Sequence, residues 1–170
     1  MAKKKTEESK NKGQENDYYE RIRDRWAGNL EQYQKGKRVI KFKELEWQKS
    51  RQGILINYST PHKQDMAAPF WLLFINHIEK QSGKHIHQGG LPIFVLNGKG
   101  HSVVDGVRYN WKKGDLIVLP IKPGGVEHQH FNDDPNVPAE WLAMRWYPFT
   151  DFLVNTTKQV EARPGWPTAK

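Results

Sequence analysis

The sequence predicts an all-β jelly-roll barrel preceded by one amphipathic helix. From residue 38 onward, the chain consists of short segments rich in β-branched and aromatic residues, each bounded by Gly, Pro, Asn or Asp. This texture is typical of strands joined by tight turns. Asn97-Gly98 and Asp105-Gly106 are strong turn signals, because such turns need residues that tolerate positive φ. Many short strands at regular spacing favour a closed antiparallel barrel or jelly roll.

The predicted strands follow these turn signals along the chain. Lys113-Gly114-Asp115 marks a further turn between two of them. The strands are predicted at residues 38–46, 52–59, 69–79, 84–88, 92–97, 101–105, 107–111, 115–119, 126–131 and 139–149.

Four segments make up the predicted domain organisation. Residues 1–16 are polar and charged, offer almost no apolar side chains to bury, and are expected to form a disordered tail. A helix is expected over 17–36, the barrel over 37–155, and an extended, Pro-rich tail over 156–170.

The N-terminal helix is predicted from one apolar stripe. Asp17 can cap its first turn, Glu20 stands three residues later as in a capping box, and Gly36 can end it. We expect the stripe to pack on the outside of the barrel. The apolar residues recur at steps of three and four: Tyr19, Ile22, Trp26, Leu30 and Tyr33.

Composition excludes several classes of site and partner. The chain has no cysteine, so disulfides and thiolate ligands are excluded and any metal must be held by nitrogen or oxygen. The net charge is +8, but the first twelve residues hold five Lys and two Glu and so supply +3 of it. Without a basic recognition helix or zinc-finger spacing, we expect no nucleic-acid partner and only a mild preference for small anions.

The sequence also suggests a location. No apolar run approaches the roughly 20 residues that span a bilayer, and the first residues lack the apolar core of a signal peptide. We therefore expect no membrane association and a cytoplasmic location.

Two histidine motifs indicate a metal site. His85 and His87 lie two residues apart on a predicted strand, so both side chains project to one face and can hold one metal. His128 and His130 repeat this spacing on another predicted strand. With His101 on the intervening hairpin, five of the seven histidines lie in or beside two short motifs. Either pair alone could be a surface pair, whereas together they favour one divalent metal.

These segments resemble the two signature motifs of the cupin superfamily over about residues 70–150. The first motif usually reads Gly-x5-His-x-His-x(3,4)-Glu-x6-Gly. Glu79 stands where its leading glycine falls, and Leu91 or Pro92 stands where its glutamate falls. The matching residues are His85, His87 and Gly98.

The second motif usually reads Gly-x5-Pro-x-Gly-x2-His-x3-Asn. Gly114 and Pro120 match its first half, and three extra residues separate that half from the rest. The later part is matched in register by Pro123, Gly125, His128 and Asn132.

The resemblance implies the cupin double-stranded β-helix and a ligand set of His85, His87 and His128. His130 would then be a neighbour that transfers a proton or contacts substrate, or alternatively it replaces His128 as the third ligand. With Leu91 in the glutamate position, three neutral imidazoles would leave the metal its full 2+ charge. Such a site favours a small anionic, chelating substrate.

Among cupins, the sequence is most similar to the gentisate and salicylate dioxygenase group, whose members usually hold two cupin units in a longer chain. The resemblance implies a three-His Fe(II) site, so Fe(II) is the expected metal, with Zn, Mn or Ni as alternatives. The predicted function is an Fe(II) ring-cleaving dioxygenase acting on a phenolic or hydroxy-carboxylate compound bound through two oxygens. A metal-dependent lyase, decarboxylase or isomerase and a non-catalytic binding protein remain alternatives. Cupins of this length often pair, so a homodimer is expected.

Several other residues are weighed for the site. Arg145, on the last long strand, either points inward and pairs with a substrate carboxylate or lies outward in solvent; the inward alternative makes it a catalytic candidate with His130. Asn76 and Gln88 are possible polar walls of a pocket, or structural residues. His62 and His77 are expected to be surface or satisfied core histidines. Three aromatic residues are expected mostly in the core: Trp71, Phe74 and Phe94.

Overall fold

The structure, a computed structural model, describes residues 17–61, 65–154 and 156–167. The predicted disordered tail, residues 1–16, and His62 lie outside these ranges. The chain divides into two compact units. The described residues of the first unit are 17–38 and 65–68, and those of the second are 39–61, 69–154 and 156–167.

The first unit contains helix α1, Tyr18–Lys35. Asp17 caps it as predicted, because its carboxylate accepts a hydrogen bond from the Tyr19 amide. Glu20 pairs with Arg23 one turn later. The helix ends at Gly36, whose amide donates to the carbonyl of Gln32. No residue of α1 is buried, so packing of its stripe on the barrel stays a prediction.

The second unit is an all-β sandwich of two antiparallel sheets, as the sequence predicts. A six-stranded sheet has the order β1-β2-β3-β10-β5-β8, and a five-stranded sheet has the order β11-β4-β9-β6-β7. The strands are β1 (Trp47–Lys49), β2 (Ile54–Ser59), β3 (Trp71–Ile78), β4 (Lys84–His87), β5 (Leu91–Asn97), β6 (Lys99–Val104), β7 (Val107–Lys112), β8 (Leu116–Leu119), β9 (Val126–Asn132), β10 (Ala139–Trp146) and β11 (Lys158–Glu161).

The turn signals place the strand ends correctly. Asp105 and Gly106 take φ of 49° and 82°, the left-handed pair that a two-residue hairpin between β6 and β7 requires. Gly98 likewise takes positive φ between β5 and β6. The predicted strands from residue 52 to residue 131 match observed ones with small shifts at their ends.

The core lies between the facing sheets and is built from alternate residues of the strands, since successive side chains point to opposite faces. On β10 the inward positions are Ala139, Trp141, Ala143 and Arg145. Here β10 pairs along its whole length with β3 and also with β5, so this strand is central in its sheet. The apolar core includes Ile78, Leu91, Ile93, Val95, Trp111, Leu119 and Val126.

Two predicted strands, at the beginning and at the end of the barrel, differ from the observed structure. The strand predicted at 38–46 is wrong: a 3-10 helix (Phe42–Glu44) forms there, and the strand begins at Trp47. The strand predicted at 139–149 stops at Trp146, where helix α2 (Tyr147–Phe152) begins with Pro148 in its first turn. Proline lacks the amide that a strand would donate and suits a first helical turn.

The C-terminal segment adds a strand that was not predicted. Lys158–Glu161 pairs with β4, so the five-stranded sheet reaches into the predicted tail. Its polar sequence suits an edge strand, whose identity depends on the neighbour that it pairs with.

None of the helices in the described ranges is long and apolar enough to cross a membrane.

Candidate metal centre

The strand pairing brings the two histidine motifs together. His85 and His87 lie on β4, and His128 lies on β9 directly opposite His85. The three side chains are buried, and each offers one ring nitrogen so that all three nitrogens lie within 4.8 Å of one another. The ring centroids are 4.2 Å apart for His85 and His128, and 4.5 Å apart for His87 and His128. This is a three-His site that can bind a divalent metal.

A backbone carbonyl lies beside Nδ1 of each of the three rings. Nδ1 lies 3.3 Å from the carbonyl of Gly83 at His85, 2.8 Å from that of Gln88 at His87, and 3.0 Å from that of Val126 at His128. A carbonyl accepts, so each of these contacts favours the tautomer in which Nδ1 carries the proton and Nε2 keeps its lone pair. Metal-bound histidines in proteins have this arrangement, so the residues fit a metal.

Burial keeps the same rings neutral. Desolvation lowers the pKa of His85 to about 4 and that of His128 to about 3. Desolvation, with the positive charge of Arg145 as the next cause, holds the pKa of His87 well below its usual range. Near neutral pH, protons therefore do not compete with a metal for these nitrogens.

His130 differs from the three ligand candidates in its partner. Its Nδ1 lies 2.7 Å from the hydroxyl of Ser102, which accepts a hydrogen bond from the indole of Trp111 at 2.9 Å. If the hydroxyl proton of Ser102 is used in this contact, Ser102 donates to Nδ1, and the proton of the neutral His130 ring is on Nε2. His130 is then an N–H donor rather than a metal ligand, which favours His128 as the third ligand.

A cavity of about 230 Å³ opens onto the centre. Among the described residues that line it there is no aspartate or glutamate. Leu91, in the position of the missing glutamate, is buried and lines this cavity. The lining residues are Gln52, Leu55, Asn57, Leu72, Phe74, Asn76, His85, His87, Leu91, Ile93, His128, His130, Trp141, Arg145, Tyr147 and Thr157.

Arg145 points inward, so the inward alternative is the correct one. It is 7% exposed, and Nη2 lies 2.6 Å from Nδ1 of His87 and 3.3 Å from the carbonyl of Gln88. One neutral ring nitrogen cannot both donate to Gln88 and accept from Arg145, so these two contacts of His87 exclude each other. A metal on Nε2 requires the first. Nη2 of Arg145 also lies 3.2 Å from Nε2 of His87, so a metal there would displace the guanidinium from the ring and let it donate to an anion instead.

Three other polar residues near the site have structural hydrogen-bond partners. Gln88 is structural, because its amide bonds the backbone of Gly89 and Lys122. Asn132, although part of the second motif, is structural too, since its amide donates to three loop carbonyls. His77 pairs with Glu140 at 2.9 Å, as expected of a satisfied histidine.

Of the three aromatic residues expected in the core, two are substantially exposed. Phe74 lines the cavity, but Trp71 and Phe94 are each 40% exposed, so placing them in the core is wrong. Trp141 was not predicted to take part. The sequence does contain a signal for it. Trp141 lies four residues before Arg145 on the same strand, so the two side chains point to the same face.

Comparison with known proteins identifies the region that carries the centre. The profile of the family described as Cupin domain matches residues 74–145. No curated protein matches the chain in sequence. Among solved structures, Streptomyces PAC13, a variant with uridine bound, superposes with a TM-score of 0.54 at 14% identity, over 74% of this chain and 92% of that chain.

Salicylate 1,2-dioxygenase structures are also similar. The enzyme from Pseudaminobacter salicylatoxidans gives a TM-score of 0.45 at 23% identity over 61% of this chain. A mutant of that enzyme in complex with gentisate gives 0.49 at 19% identity over 62% of this chain. The chain spans 29% and 28% of their respective lengths.

We expect the metal to depend on three histidines. Purified protein should hold about one divalent metal per chain, and His85→Ala, His87→Ala and His128→Ala should each lose it, because each removes one lone pair aimed at the centre. Elemental analysis measures this, with His77→Ala as the control. Retention in His128→Ala with loss in His130→Ala would reverse the choice of third ligand.

The buried neutral histidines also predict acid sensitivity of the metal-free protein. Full stability is present above the unfolded pKa of about 6.5. Below that pH, the histidines bind protons in the unfolded chain but stay neutral in the folded protein until the pH approaches their lowered pKa values. The free energy of unfolding therefore falls between about pH 6.5 and 4. The shift at His85 alone corresponds to roughly 3 kcal/mol.

Urea unfolding of metal-free protein at about pH 7 and pH 5 measures this loss. His85→Asn should show a smaller loss, because it removes one of the contributing rings. An equal free energy of unfolding at both pH values would contradict the assignment of neutral, buried imidazoles.

Proposed function

We propose that this chain, whose residues 74–145 match the family described as Cupin domain, is an Fe(II)-dependent dioxygenase acting on a phenolic or hydroxy-carboxylate small molecule bound through two oxygens. The observation that supports this most is the charge of the cavity. Three neutral imidazoles and one buried arginine face a space whose described lining contains no carboxylate.

The ligand set leaves charge for the substrate to neutralise. His85, His87 and His128 would hold the metal through Nε2, and none of them offsets its 2+ charge. Leu91 supplies no oxygen where the superfamily motif has a glutamate. An anionic substrate that chelates through two oxygens supplies that charge, whereas a neutral one does not.

Arg145 orients the substrate. Desolvation lowers the pKa of its guanidinium from the usual 12.5, but guanidinium remains the cation near neutral pH. Burial strengthens its attraction for a carboxylate, and its planar donors fix the direction of that group. The substrate is thus held with one end at Arg145 and its chelating oxygens at the histidines.

His130 can hold a proton beside the reacting molecule. The chain of Trp111, Ser102 and His130 leaves Nε2 as a donor on a side chain that lines the cavity. Burial lowers the pKa of His130 well below its usual range, so it donates as a neutral imidazole. Phe74, Leu91 and Trp141 also line the space and offer apolar surface to the body of the substrate.

The resemblance of the histidine motifs to the gentisate and salicylate dioxygenases supports iron. When bound, Fe(II) supplies the redox chemistry by which an electron-rich ring reacts with O2, so that both oxygen atoms enter the product and a ring C–C bond breaks. Zn, Mn or Ni in the same ligands would instead support Lewis-acid chemistry. The homodimer and the cytoplasmic location stay predictions from the sequence.

The decisive experiment separates substrate chelation from oxygen chemistry. Metal-free protein is loaded with Fe(II) under anaerobic conditions and exposed to hydroxybenzoates, catechols and diketones. A substrate should perturb the iron spectrum first and consume about one O2 per molecule after air is admitted. Equal turnover with Zn(II) and no O2 would replace the dioxygenase with a lyase or isomerase.

Leu91→Glu tests the vacant ligand position. Because Leu91 faces the cavity, the new carboxylate should reach the centre, offset its charge, and lower both substrate chelation and turnover by at least tenfold. Pro92→Glu is the matched control, since it adds the same charge one residue along the strand, on the opposite face. Equal behaviour of the two variants would show that the missing carboxylate does not govern substrate binding.

Arg145→Met tests the anion site separately from the metal. Affinity for a chelating carboxylate should fall on the order of a hundredfold, as when one member of a buried charge pair is removed. Metal affinity should stay or rise, because a cation beside His87 is lost. Calorimetric titration measures both, and loss of the metal would show instead that Arg145 supports the ligand set.

A further inference from the structure

The outer face of the six-stranded sheet carries a broad apolar surface. On β3, β10, β5 and β8, alternate side chains line the core or the cavity, so the side chains between them point outward. Nine of these outward residues are apolar; five of the nine are exposed and four are half-buried. We call this set the apolar outer face: Trp71, Leu73, Pro92, Phe94, Leu116, Val118, Leu142, Met144 and Trp146.

The strand register joins these residues into one surface. Leu142 lies opposite Phe94, which in turn lies opposite Leu116, so one apolar row crosses β10, β5 and β8. Directly opposite residues have Cβ atoms about 5 Å apart, close enough for their side chains to contact one another. At the end of β10, Trp146 lies directly opposite Trp71.

The outer face of the five-stranded sheet, in contrast, has the composition of a surface that meets water. It carries ion pairs, such as Lys84 with Glu127 at 3.1 Å. In an antiparallel sheet with one face on the core, the other face is commonly polar in this way. The apolar outer face departs from that pattern, as surfaces that contact another polypeptide do. The polar outward residues of the five-stranded sheet include Lys84, Lys99, His101, Arg108, Asn110, Lys112 and Glu127.

The area of the apolar outer face is comparable to that of a specific interface. Trp146, Leu116 and Val118 are 51%, 56% and 62% exposed, and Trp71 and Phe94 are each 40% exposed. An aromatic side chain presents roughly 150–250 Å², so these five residues leave on the order of 500 Å² of apolar surface in water. The half-buried residues between them add to this area. A standard interface covers about 800 Å² on each partner.

We propose that the apolar outer face is a homodimer interface, in which the same face of a second copy packs on it across a two-fold axis. Such an axis requires a surface that is complementary to itself, and a uniformly apolar sheet face meets this requirement. Two sheets packed face to face are an ordinary arrangement. Each copy carries a net charge of +8, to which the nine residues add nothing, so two copies repel each other less here than through a charged face. The proposal locates the homodimer expected from the sequence and depends neither on the metal nor on the proposed function.

Sedimentation velocity of the full chain measures the mass in solution. At about 20 μM, above the Kd expected of a specific interface of this size, the wild type should have twice the chain mass of 19.9 kDa. Phe94→Lys combined with Trp146→Lys should weaken the dimer on the order of a hundredfold, because like charges would then be buried against one another. Both side chains are exposed in the single chain, so its fold should persist.

The matched control places the same charges on the other sheet. Val107 and Tyr109 on β7 are also apolar and exposed, so Val107→Lys combined with Tyr109→Lys should leave the dimer affinity within about twofold. Circular dichroism of each variant checks the fold. If the first lysine pair unfolds the chain, Phe94→Ser combined with Trp146→Ser adds no charge and should weaken the dimer about tenfold or more in the same measurement.

Each outcome decides the question. A wild type that is monomeric at that concentration, or a dimer that survives the substitutions at Phe94 and Trp146, overturns the proposal. Equal weakening by the control variant would place the interface at the edge of the sandwich instead. If only Trp26→Lys with Leu30→Lys, in the exposed stripe of α1, separates the copies, the helix is the interface and the apolar outer face is not. None of the substituted residues lines the cavity, so failure here leaves the proposed function standing.

Discussion

The antiparallel pairing of β4 with β9 is the constraint on which the rest of the site depends. It sets His85 opposite His128, and the two-residue period of the strand adds His87 to the same face. A shift of one residue in either strand would turn its histidines away from the cavity. The backbone also orients the rings, because a carbonyl lies beside Nδ1 of each histidine and favours a lone pair on Nε2.

The charge of the cavity depends on the lack of a carboxylate among the described residues that line it. A carboxylate at position 91 would balance part of a metal's charge, and Leu91 does not. Arg145 adds a further positive charge next to His87. Burial opposes all of this charge, so the arrangement is stable only with neutral imidazoles, and it gains most from an anion that reaches both the arginine and the metal.

The two sheets contribute different parts of the chemistry. The five-stranded sheet supplies the histidines, while the six-stranded sheet supplies Asn76, Trp141 and Arg145 from the paired strands β3 and β10. One wall is therefore suited to hold a metal and the facing wall to recognise what binds to it. Because both walls are built on central strands rather than loops, their side chains are held by packing on each side.

The sequence by itself determined the features that depend on local rules. Turn residues that tolerate positive φ marked the hairpins, and the His-x-His spacing put each pair on one face. It could not settle whether Arg145 points inward, whether Trp71 and Phe94 are buried, or that Lys158–Glu161 is a strand. It also did not show that Trp141 belongs to the site. Those features were decided by the tertiary structure. Residues far away in the sequence determine which face of a strand packs on the core and which sheet edge a polar strand joins. A turn, in contrast, depends mainly on its own residues.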